Sequence, residues 1–168
     1  MKYLIDTHTH TIASGHAYNT IKEMAQSASE KGLELLGITE HAMKMPGTCH
    51  SFYFANLKML ERMLFGVELN ILNQDGEVDM EENLLKKMDI VIASMHIPCF
   101  KSGTKEENTQ TYLKVMENPY VNIIGHPDDG RFPVDYEQLV LGAKKHHVLL
   151  EVNNNSLDPR CTRENGEE

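Results

Sequence analysis

Apolar residues in this chain gather into six short runs, and the stretches between them carry apolar residues at helical spacing. The runs are Tyr3–Ile5, Leu33–Ile38, Leu64–Ile71, Ile90–Ala93, Val121–Ile124 and Val148–Val152. Several are rich in Val and Ile, and each predicts a buried strand. After the first run, Ile21, Met24, Ala25 and Ala28 fall at i, i+3, i+4 and i+7, with Asn19 or Thr20 placed to cap and Gly32 to stop a helix. Phe52–Met63, Glu81–Met88, Lys105–Asn118 and Asp135–His147 read as further helices, the last with Leu139, Val140 and Ala143 on one face. Strands recur roughly every 25 to 32 residues, the size of one βα unit. Such alternation predicts an α/β fold with parallel strands, helices outside and right-handed connections. The sheet can be open and doubly wound or closed as a (β/α) barrel. No glycine-rich loop follows the first strand, so the nucleotide-binding version loses its main support.

The polar residues that break this pattern sit at strand ends. The first strand leads into Asp6-Thr7-His8-Thr9-His10, the second into Thr39-Glu40-His41, and the third contains Gly66-Val67-Glu68. The fourth leads into Ser94-Met95-His96 and the fifth into Gly125-His126-Pro127-Asp128. With nine histidines, a His-x-His pair arises by chance in about one of every two such chains, so the pair alone is weak evidence. Position is stronger. Five successive strands each deliver an imidazole or carboxylate near the C-terminal end, the end where βα barrels build their sites. A buried carboxylate such as Glu68 is costly unless paired or bound to a cation, and no basic residue stands at the other strand ends. Neutral imidazoles favour zinc, iron, manganese or copper. His8, His10, His16, His41, Glu68, His96 and His126 are too many ligands for one tetrahedral zinc, so two or three ions are expected. Asp6 and Glu40 are candidates to orient ligand rings from behind. His146 and His147 suit a helix C-terminus, and His50 reads as a solvated loop residue.

Composition narrows the partners. The chain has 168 residues, 40% hydrophobic and 24% charged, with a net charge of −9, which disfavours nucleic acid and anionic membrane. No apolar run is long enough to span a bilayer or form a signal peptide, so a cytoplasmic protein is expected. Cys49, Cys99 and Cys161 are odd in number and widely spaced, as reduced thiols would be.

Taken together, Asp6-Thr7-His8-Thr9-His10, His16, Thr39-Glu40-His41, Gly66-Val67-Glu68, Ser94-Met95-His96 and Gly125-His126-Pro127 resemble the PHP (polymerase and histidinol phosphatase) family. Ala13-Ser14-Gly15-His16-Ala17-Tyr18 and Glu151-Val152-Asn153-Asn154-Asn155-Ser156 look most like its YcdX-type phosphatases. The resemblance implies one distorted (β/α)7 barrel with a trinuclear, zinc-type site. By that analogy His8, His10 and Glu68 hold one ion, His16 and His41 a second, and Glu68, His96 and His126 a third. It also implies a last strand carrying an Asp and a His, which is not found before Glu168. The expectation is a C-terminally incomplete PHP-type domain over residues 1–168, with about six strands and marginal stability or dimerisation. The activity implied is phosphomonoester hydrolysis of a small phosphorylated substrate by a metal-bound hydroxide, with Arg160 a candidate phosphate grip. Alternatives are histidinol-phosphate phosphatase, a phosphodiesterase or nuclease, and an inert metal-binding fragment.

Overall fold

The structure, a computed structural model, describes residues 4–57 and 63–153. It falls into two compact units: residues 1–69 with 79–92, and residues 70–78 with 93–168.

The first unit carries the strand order β1-β2-β3-β4. β1 (Ile5–Asp6) pairs in parallel with β2 (Leu35–His41), and β2 pairs in parallel with β3 (Leu64–Asn70, of which residue 70 belongs to the second unit). The β2–β3 register runs from Gly37 opposite Leu64 to His41 opposite Glu68. Asp89 leads into β4 (Ile90–Ser94) and ties it to β3. Its N–H donates to the Phe65 carbonyl at 2.8 Å, and its carboxylate accepts from the Phe65 N–H at 3.0 Å. Gly66 permits the close approach, because a Cβ there would stand 2.2 Å from the Ile90 carbonyl oxygen. Ile38, Phe65, Val67, Leu69 and Ile92 are buried in this unit, each contributing roughly 1.5–3 kcal/mol.

α1 (Ile21–Lys31) begins in a capping box between Thr20 and Glu23 and ends at Gly32, whose φ of 69° suits the left-handed stop. α2 (Ser51–Asn56) is shorter than its predicted span, part of which lies at 58–62, outside the described residues. α3 (Glu82–Leu85) is also shorter than predicted. Lys87 and Met88 tighten into i→i+3 turns onto Leu84 and Leu85, which swing the chain into β4.

The second unit carries the end of β4, then β5 (Ile123–Ile124) and β6 (Leu149–Leu150), which pair in parallel. The Gly125 N–H donates to the Ala93 carbonyl at 3.0 Å. α4 (Lys105–Val115) opens with a second capping box, Thr104 with Glu107, and α5 (Tyr136–His146) is capped by Asp135. The two helices pack closely at Gly142, where a Cβ would meet Leu113 at 2.2 Å. Tyr112, Ile124, Phe132 and Leu139 form the core. All six predicted strands are present, and the chain has the parallel α/β fold that the alternation predicts, of the (β/α) barrel type that the family resemblance implies. Strand ends are trimmed, to two residues in β1, β5 and β6.

Candidate metal centre

The loop after β1 is shaped by its own polar residues. Thr11 caps a 3-10 turn at Ile12–Ser14, its hydroxyl accepting from the Ala13 N–H. Gly15 follows with φ 74°, and a Cβ on it would fall 2.3 Å from the Gly47 carbonyl oxygen, so glycine is required there. That turn delivers His16, whose Nδ1–H is 3.2 Å from the Ser14 carbonyl.

Glu40, fully buried in β2, anchors this loop. Its carboxylate accepts from the Thr11 N–H at 3.0 Å, from the Thr11 hydroxyl, from the Ser14 hydroxyl at 2.5 Å and from the Tyr53 hydroxyl at 3.3 Å. Burial first, and then the Glu40 charge, push the Tyr53 phenol above its ordinary range.

Around Glu68 the neighbours are imidazoles. Glu68 is 1% exposed. Its Oε1 lies 3.3 Å from His8 Nε2, and its Oε2 lies 3.4 Å from His10 Nε2 and 2.7 Å from His41 Nδ1. His10 stacks on His41 with ring centroids 4.4 Å apart, and His16 lies 5.0 Å from His10 and 4.9 Å from His41. Ligand atoms of His8, His10 and Glu68 lie within 4.8 Å of one another, as do those of His10, His16 and His41. Burial lowers the His10 pKa to about 3, against the opposing pull of Glu68. His10 therefore meets Glu68 as a neutral ring with lone-pair chemistry, not as a counter-ion. A buried carboxylate ringed by imidazoles fits a divalent transition ion.

In the second unit, His96 and His126 meet edge to face with centroids 5.2 Å apart. His96 is oriented by Asn70, whose Oδ1 is 2.8 Å from His96 Nδ1, leaving Nε2 to face outward from that bond. His126 has φ 30°, unusual outside glycine. Its N–H is held by the Glu151 carboxylate at 2.6 Å, and Asp128 accepts from the Asn153 N–H at 3.2 Å.

The structure thus brings His8, His10, His16, His41 and Glu68 together in one unit, and His96 with His126 in the other. Asp6 accepts the backbone N–H of His8 at 3.3 Å, so its described contact with the pair runs through the main chain. Arg160 and Cys161 lie outside the described residues. Cys49 and Cys99 are reduced thiols. His50 does more than fill a loop: its Nδ1 accepts from the Phe52 N–H and caps α2. His147 takes the left-handed position ending α5, with φ 58°. Sequence reasoning passed over Ser14, Asn70 and Glu151. Asn70 had a signal, standing two residues after Glu68 at the end of the same apolar strand.

A PHP domain model matches residues 6–156. A probable phosphatase of Clostridium novyi (strain NT) is 49% identical, covering 96% of this chain and 72% of the relative. One from Thermoanaerobacter sp. (strain X514) is 48% identical over 93% of this chain and 66% of its own length, and one from Acetivibrio thermocellus is 43% identical over 100% and 71%. The chain belongs to the PHP domain family, and its function class is that of the family's phosphoesterases. It spans about two thirds of the length of the curated relatives it matches. Among solved structures, the histidinol phosphate phosphatase of Lactococcus lactis, complexed with zinc, L-histidinol and phosphate, shares the fold. Its TM-score is 0.62 at 20% identity, covering 94% of this chain and 76% of that one. No helix among the described residues is long and apolar enough to cross a membrane.

Proposed function

We propose that this chain hydrolyses a small phosphomonoester with two to three zinc-type ions, held by His8, His10, His16, His41 and Glu68 in the first unit and by His96 and His126 in the second. The observation that carries the reading is Glu68, buried and met by His8, His10 and His41. His8, His10 and Glu68 form one ligand set; His10, His16 and His41 form another. When bound, such ions lower the pKa of water and neutralise charge on phosphate oxygens. The protein's part is to hold His10 neutral, to fix the His10 and His96 rings through Ser14 and Asn70, and to keep Glu68 out of water. No side-chain nucleophile is needed. Arg160 is the proposed phosphate grip, through bidentate hydrogen bonding.

Phosphate release from an aryl phosphate tests this. Zinc or manganese should support it, chelation should abolish it, and Glu68→Ala should lower it by on the order of 100- to 1000-fold. Full activity in Glu68→Ala overturns the assignment. A panel including histidinol phosphate, the ester suggested by the Lactococcus enzyme's bound products, would set the substrate. A second reading is metal held without turnover. Bound zinc with no phosphate release would favour it.

A further inference from the structure

Ser14 stands where two buried networks meet. It is 1% exposed. Its hydroxyl is 2.5 Å from Glu40 Oε2, 3.0 Å from the His41 backbone nitrogen and 3.1 Å from His10 Nδ1. A hydroxyl has one proton to give and two lone pairs to receive with. The His41 N–H can only donate, so it takes one lone pair. The Glu40 carboxylate, already met by the Thr11 N–H and by the hydroxyls of Thr11 and Tyr53, accepts here too, and it draws the serine proton over the shortest of the three contacts. One lone pair remains, and it faces His10 Nδ1. That nitrogen must then carry the ring proton.

We infer that Ser14 is a positioning residue: with its proton held by Glu40, it sets His10 in the Nδ1–H tautomer and so aims the Nε2 lone pair at the Glu68 side of the site, where Nε2 lies 3.4 Å from Glu68 Oε2. Glu40 acts on His10 through Ser14, without touching it. The inference rests on the reading of His10 as a metal ligand. The opposite arrangement is concrete: Ser14 donating to His10, and His10 Nε2–H donating to Glu68. The two differ by the position of one proton, and Glu40 decides between them. The other Glu40 oxygen already receives the hydroxyls of Thr11 and Tyr53, and the Thr11 N–H, shared between the two oxygens at 3.2 and 3.0 Å, can settle on it as well. In Glu40→Gln the amide oxygen is therefore held on that side, and its NH2 faces Ser14. The serine proton then turns to His10.

The tautomer can be read directly from two-bond 15N–1H imidazole correlations in the metal-free 168-residue chain. The wild type should show His10 Nδ1–H, and Glu40→Gln should show Nε2–H. Ser14→Ala should lose the Nδ1–H preference and bind zinc about 10- to 100-fold more weakly, while Ser14→Thr, which keeps the hydroxyl, should restore both. A wild-type His10 in the Nε2–H form overturns the inference, as does Glu40→Gln with an unchanged tautomer. Both spectra are read without metal. Failure of the wild-type chain to bind zinc would therefore overturn the metal reading alone.

Discussion

Glu40 and Glu68 are the same residue type, buried to the same degree, on neighbouring strands of one unit, with Glu40 opposite Val67 in the register. Their surroundings separate them. Glu40 meets groups that bring protons: one N–H and three hydroxyls. Glu68 meets imidazole nitrogens, at least one of them on a ring that burial keeps neutral. A carboxylate caged by N–H and hydroxyl donors is complete within the protein, whereas one met only by imidazole nitrogens in its described contacts suits a cation. Burial of a charge is thus no mark of function by itself. The chemistry of the neighbours decides whether it braces the fold or awaits a ligand.

The contrast breaks most visibly by truncation. Glu40→Ala should destabilise the metal-free chain by about 3 kcal/mol, since it strands the hydroxyls of Thr11 and Ser14 in the interior. Glu68→Ala should stay within about 1 kcal/mol. Urea denaturation of both variants measures the difference, and equal losses would erase the distinction. Zinc should act in the reverse sense. At a free concentration 100 times its Kd it should raise wild-type stability by about 2.7 kcal/mol, with most of that gain missing in Glu68→Ala. Thermal melts with and without zinc report it.

A smaller effect concerns pH. The folded His10 pKa is lowered from 6.5 to about 3. The unfolded chain therefore takes up a proton below about 6.5 that the folded chain refuses until about 3. Stability should be flat above that window and fall through it on acidification, by at most about 1.4 kcal/mol per pH unit from this ring. His10→Asn should flatten the slope, as denaturation midpoints across the range would show. Smallest is Tyr53→Phe, which removes one donor from Glu40 and should cost about 1 kcal/mol in the same urea assay.

Much of this was legible in advance, for physical reasons. Strand positions follow from apolar runs too short for helices, and α1 follows from apolar residues at i, i+3, i+4 and i+7 between the Thr20 cap and Gly32. The candidate ligands were legible because an imidazole or carboxylate at five consecutive strand ends has no packing explanation. The supporting residues were not. Ser14 and Thr11 look like ordinary loop hydroxyls until the turn at Ile12–Ser14 folds them onto Glu40. Asn70 gains its role only when His96 reaches it across the sheet of the second unit. Helix ends at α3 and α4 were overestimated, because a tightening i→i+3 turn keeps helical spacing after the helix has stopped.

On the proposed metal reading, the Glu40 cage has a consequence for the kinetics of loading. Thr11 and Ser14 fasten the segment bearing His10 and His16 to β2 through bonds that involve no ion. The receptor is thus built before its guest arrives, and little chain entropy is lost at the encounter. Uptake should proceed as a single fast phase with an unchanged far-ultraviolet dichroism spectrum, and the amides of this segment should resist deuterium exchange equally before and after.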